Sequence, residues 1–88
     1  MDLKHVIRHE LIGCPAEVVD AANQSLVGIK GKVVDETKHL LVLDNGMERR
    51  VLKEHATFKI TMQGRSYVIN GKLLVGRPED RLKKKVKL

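Results

Sequence analysis

A small, strongly curved antiparallel β-barrel, opened by a short helical element and closed by a basic helix, is the fold this sequence predicts. Three observations lead there. From Ala16 onward, apolar and polar residues alternate with a period of two; turn-forming pairs interrupt that alternation at short intervals; and Gly28 with Gly31 falls inside a strand pattern. A small barrel also removes exposed sheet edges. The chain has 88 residues, enough for one domain over 1–88, whose core hides only about 60% of the surface of the unfolded chain.

The elements follow in order. In "DLKHVIRHELIG", Leu3, Ile7 and Leu11 recur at four-residue spacing with Val6 and Glu10 beside them, which suits a short helix that Gly13 and Pro15 stop. Strands are expected at Ala16 to Asp20, Val27 to Asp35 and Leu40 to Asp44, separated by Asn23 with Gln24, by Glu36 with Thr37, and by Asn45 with Gly46. Within the second, Val27, Ile29, Gly31 and Val33 share one face and Lys30 and Lys32 the other; its glycines mark a sharp bend or a close backbone approach. The third is apolar on both faces and is therefore expected inside the sheet or under a cover. In "ATFKITMQGRSYVING", Ala56, Phe58, Ile60 and Met62 point inward, and Gln63, Gly64 and Arg65 make a tight hairpin to Ser66 to Ile69. No link is long enough for the crossover helix of a parallel unit.

Proline at position 78 suits a first helical turn, since no amide hydrogen bond is needed there. Glu79 and Asp80 complement the start of a helix over 77–87, and Lys83, Lys84, Lys85 and Lys87 its end. Four-residue pairs from Glu79 to Lys83 and Asp80 to Lys84 add roughly 0.2–0.5 kcal/mol each. Leu82 and Val86 form a narrow apolar stripe for docking on the barrel or a partner, with the lysines left outside. A solvated basic tail is the plainer alternative.

Lys plus Arg number 17 against 11 Asp plus Glu, a net charge of +6 that favours nucleic acid or an acidic partner. With Phe58 and Tyr67 as the only aromatics, a base-stacking platform is limited to Tyr67 at most, and phosphate contacts and shape are the better expectation. Cys14 is alone, so neither a disulfide nor a zinc knuckle is expected, and a reducing compartment is the simpler setting. No apolar run approaches a membrane span and no signal peptide is legible, so a soluble, cytoplasmic protein is expected. His5 and His9 lack the glutamate of a zinc-protease helix; His39 and His55 stand alone; Asp35 with Glu36 reads as a turn. No nucleophile and base are assembled, and no metal site or cofactor is expected on this chain.

Three motifs carry a resemblance: "HELIG" at 9–13, "SLVGIKGKVVDET" at 25–37 and "LLVGRPEDRLKK" at 73–84. Together with the strands between them they make the chain resemble archaeal ribonuclease P protein component 1 over essentially its whole length. The resemblance implies an Sm-like barrel with terminal helical elements, in a ribonucleoprotein endoribonuclease whose RNA removes the 5′ leader from precursor tRNA. It implies the catalytic RNA as partner, protein component 4 as heterodimer partner, precursor tRNA met through the holoenzyme, and the other holoenzyme proteins. Magnesium is then expected on the RNA and zinc on component 4. The basic positions within its patterns, Arg8, Lys30, Lys32, Arg77, Arg81, Lys83 and Lys84, with Lys85 and Lys87 of the same tail, are the expected RNA-binding residues. Leu3, Ile7, His9, Glu10, Leu11, Leu82 and Val86 are assigned to a protein partner or to structure. Little chain precedes "HELIG", so a contact made by a longer basic arm in relatives is expected to be weaker here. The rival classes are a ring-forming Sm-like RNA chaperone and a ribosome-associated RNA-binding barrel.

Overall fold

The computed structural model describes Val6, Ile7 and residues 9–76, so the helix expected over 77–87 lies outside the described residues. Val6 and Ile7 are helical, and the chain turns at Ile12 and Gly13, where Gly13 takes φ +96°. Six strands follow: β1 (Pro15–Ala21), β2 (Lys30–Glu36), β3 (Leu40–Asp44), β4 (Glu48–Leu52), β5 (Ala56–Met62) and β6 (Arg65–Asn70). They form one sheet in the order β4-β3-β2-β1-β5-β6, with every neighbouring pair antiparallel.

This order overturns the expected barrel. In a closed Sm-like barrel the edge strands would pair, but β4 and β6 are the two free edges of the sheet, and no ladder joins them among the described residues. The reason lies in what each edge strand runs into. β4 passes directly into a 3-10 turn (Lys53–His55) and β6 into another (Gly71–Leu74). Those turns meet backbone to backbone, so closely that a Cβ on Gly71 would overlap the Lys53 carbonyl oxygen and come within 2.6 Å of that of Ala56. The ends of the two edges are joined by packed turns, and the chain there is too tightly wound to offer a strand for pairing.

The open sheet still curls around one core. Bulges between Val18 and Asp20 in β1 and between Val33 and Asp35 in β2 shift register and sharpen the twist. As a result Val51 of β4 and Ile69 of β6, at opposite edges, share a single cluster with Val18, Leu41, Leu43, Phe58 and Ile60. Val6, Ile7 and Leu11 pack into the same cluster, so these three residues belong to the core.

Three local expectations are refined. Gly31 meets a backbone: a Cβ there would sit 2.6 Å from the Asp44 carbonyl oxygen, so glycine lets β2 lie against the end of β3. β2 starts at Lys30, because a 3-10 turn (Gln24–Leu26), capped by the Asn23 side chain on the Ser25 amide at 3.0 Å, and Gly28 at φ +94° precede it. Met62 pairs with Arg65, so the β5–β6 loop is Gln63 and Gly64 alone, both at positive φ (53° and 77°) as a two-residue hairpin with the strands' natural twist requires.

Candidate nucleic-acid interface

Strand parity decides which charges reach the outer face. In β1 and β5, Ala16, Val18, Phe58 and Ile60 are buried, so Glu17 and Lys59 face outward. Glu17 pairs in register with Lys30 on one side and Lys59 on the other. A cross-strand row of cation, anion and cation results. The Lys59 ammonium lies 3.5 Å from Glu17 Oε1, with both side chains partly in solvent. Lys32, exposed two residues from Lys30 and opposite Pro15, lengthens the basic side of the row. Between Lys30 and Lys59 lies a shallow groove of about 380 Å³ lined by Pro15, Ala16, Gly31 and Thr61. The groove presents the Lys30 and Lys59 ammonium groups, the Glu17 carboxylate, the Asn45 amide and the Thr61 hydroxyl beside small side chains.

Of the RNA-binding residues expected from sequence, Lys30 and Lys32 are brought together on this face. Arg8, Arg77, Arg81, Lys83, Lys84, Lys85 and Lys87 lie outside the described residues, as do Leu3, Leu82 and Val86. His9 and Glu10 are exposed, with His9 Nδ1 donating to the Glu10 carbonyl at 2.9 Å, whereas Ile7 and Leu11 are buried in the chain's own core. Lys59 is invisible to sequence reasoning because it looks like any outward residue of an alternating strand; only the β1–β5 register brings it to Lys30. Arg50 on β4 is a further exposed cation, opposite Val42 and bordering a second groove that Asp35 and Glu48 also line.

A second Glu–Lys pair lies inside. Glu36, read from sequence as one of two turn acids, ends β2 with its side chain fully buried, and Lys53 Nζ donates to its Oε2 at 2.7 Å. The same ammonium donates to the carbonyls of Thr37 at 2.7 Å and Gly76 at 2.9 Å, and lies 3.4 Å from that of Lys38. Gly76 is held from its other side too, its amide donating to the Lys38 carbonyl at 2.7 Å. Hydropathy conceals this arrangement: Leu52 is 46% exposed and Lys53 fully buried, the reverse of what their side chains announce.

Nothing among the described residues assembles an active centre. No group of three or more His, Cys, Asp or Glu is placed to hold a metal ion there. The Cys14 thiol is half-buried, and burial pushes its pKa up. Phe58 is fully buried and Tyr67 is half-buried against the core, so the described residues offer no pair of exposed aromatics for base stacking.

Comparison with known proteins points to one family. The family model described as Ribonuclease P/MRP, subunit p29 matches residues 4–84. Ribonuclease P protein component 1 of Methanocaldococcus jannaschii is 48% identical over 86 residues, 96% of this chain and 90% of that protein. The namesake protein of Thermofilum pendens is 42% identical over 88 residues, covering 97% and 94%. The solved structure of Mth11, a homologue of the human RNase P protein Rpp29, superposes with a TM-score of 0.60 at 42% identity, covering 83% of this chain and 97% of that one.

Proposed function

Because the chain belongs to the Ribonuclease P/MRP subunit p29 family and is a homologue of archaeal ribonuclease P protein component 1, we propose that it serves its ribonucleoprotein by laying cations along RNA phosphates. Its place is that of a non-catalytic protein subunit in precursor-tRNA processing. The observation that carries the RNA-contact reading is the outer row in which Lys30 and Lys59 flank Glu17, with Lys32 beside it. Exposed ammonium groups on a sheet face neutralise phosphates at little conformational cost, and each such neutralisation contributes to affinity through counterion release. The basic residues Arg8, Arg77, Arg81, Lys83, Lys84, Lys85 and Lys87 extend that charge in the sequence on both sides of the sheet.

In this reading the partner is the catalytic RNA, which carries the magnesium ions and cleaves the 5′ leader. Component 4, with its zinc, is the heterodimer partner; precursor tRNA and the other holoenzyme proteins are met in the assembled particle, in the cytoplasm. His9 and Glu10, exposed at the start of the chain, are the partner-facing candidates of the N-terminal element, since Ile7 and Leu11 are used by the core. The test is reconstitution of precursor-tRNA cleavage with the ribonuclease P RNA of Methanocaldococcus jannaschii, with and without this chain, at limiting magnesium. The chain should raise cleavage, and changing Lys30, Lys32 and Lys59 together to glutamine should remove much of that gain. Equal cleavage with the wild-type and glutamine forms would refute the outer-face reading.

A further inference from the structure

An acid stands in the middle of the cationic row. Glu17 is paired in register with Lys30 of β2 and Lys59 of β5, and with both lysines, Asn45 and Thr61 it borders the groove of about 380 Å³. A surface that only gathered phosphates would be weakened by this residue, since its carboxylate repels each phosphate that the lysines attract. Nor does the pair do much for the sheet. The carboxylate lies 3.5 Å from the Lys59 ammonium with both side chains partly in solvent, a looser contact than the about 2.7–2.9 Å of a charge-assisted hydrogen bond and of a kind that contributes little. Its two oxygens keep acceptor capacity beside a groove that Pro15, Ala16 and Gly31 leave free of large side chains.

Neighbouring strands lie about 4.7–4.9 Å apart, so the row sets cation, acceptor and cation at even steps of one strand. An RNA strand carries a matching alternation, because each ribose with its 2′-hydroxyl lies between two phosphates. That hydroxyl can donate a hydrogen bond, and DNA has no such group.

We propose that Glu17 is a specificity-determining residue of this face: its carboxylate accepts a hydrogen bond from a ribose 2′-hydroxyl while Lys30 and Lys59 hold the phosphates on either side. The inference rests on the reading that the outer face meets RNA. Selectivity then has two parts. RNA gains the hydrogen bond, which offsets the repulsion between the carboxylate and the phosphates; a strand without the donor meets the repulsion alone.

The experiment changes the sugar and keeps the sequence. Affinities of the full-length chain are measured at low salt for a short single-stranded RNA of mixed sequence and for its 2′-fluoro counterpart, which keeps an RNA-like sugar pucker but cannot donate. The wild type should bind the RNA about five-fold more tightly, as one net hydrogen bond is worth. In Glu17→Ala, with its fold checked by circular dichroism, that preference should vanish, chiefly because the 2′-fluoro strand binds more tightly. No preference in the wild type, or the same preference in Glu17→Ala, overturns the proposal. The double variant Lys30→Gln with Lys59→Gln separates this failure from that of the reading beneath it, and should weaken the binding of both strands. If it binds both as the wild type does, the outer face does not hold phosphates and the proposal falls with that reading. If it loses affinity while Glu17→Ala keeps the wild-type preference, the outer face stands and the role of Glu17 alone is refuted. Should Glu17→Ala fail to fold, Glu17→Gln, whose neutral amide oxygen is a weaker acceptor, must narrow the same ratio, and an unchanged ratio overturns the proposal.

Discussion

The molecule holds two Glu–Lys pairs in opposite settings. Glu17 and Lys59 lie 3.5 Å apart on the outer face, 34% and 43% exposed; Glu36 and Lys53 lie 2.7 Å apart with no exposed side-chain surface. Exposed pairs contribute about 0–1 kcal/mol and are screened by salt. If the outer face meets RNA, Lys59 can exchange Glu17 for a phosphate at small cost. The inner pair has no such freedom. Desolvation there costs several kcal/mol per ion and is offset only by fixed geometry and further hydrogen bonds, which the Thr37 and Gly76 carbonyls supply. The same two side-chain types thus hold backbone when dry and offer charge when wet.

The largest effect should come from breaking the inner pair on one side. Lys53→Met strips the ammonium from a buried carboxylate and should cost about 3–5 kcal/mol, read as a lowered denaturant midpoint. Adding Glu36→Leu should return most of that loss, because the desolvated carboxylate goes too. A single variant losing less than about 1 kcal/mol would mean that the pair is as dispensable as a surface one.

Next in size is Gly71→Ala. The added methyl would overlap the Lys53 carbonyl where the two 3-10 turns meet, forcing apart the junction between the ends of β4 and β6. Overpacking of this kind costs about 1–3 kcal/mol. Calorimetry showing an unchanged melting temperature would count against that junction and against its role in leaving the sheet unclosed.

Much of the sheet is legible in the sequence because burial there follows parity. Ala56 to Met62 alternates in the structure as it does on paper, and β3 is internal as its two apolar faces require. β4 is not legible: of Glu48 to Leu52 only Val51 is buried, and an edge strand with one inward residue shows no period. Without β4 and the two 3-10 turns, five short strands with internal glycines point to closure, and the open seam leaves no sign. The site divides in the same way. Lys30 and Lys32 announce themselves as the polar face of a strand, whereas Lys53 is placed by long-range packing that leaves no trace in local hydropathy.

The smallest effects should come from the outer pair, where stability and binding separate. Lys59→Gln removes one cation and should flatten the salt dependence of RNA binding by about 0.7–0.9 of slope, with stability within about 0.5 kcal/mol of the wild type. Glu17→Gln should act in the opposite sense on binding. It removes the carboxylate that neutralises Lys59 and stands in register with Lys30, and that would face an approaching phosphate with like charge. Affinity for the catalytic RNA should rise a few-fold and its salt dependence steepen, while the melting temperature stays nearly unchanged. Titration of both variants at several potassium concentrations, beside thermal melts, decides the matter. Weaker binding by Glu17→Gln would show that the carboxylate orients Lys59 toward RNA and does not compete with it; a loss of stability above about 1 kcal/mol would place this pair with the inner one as a structural contact.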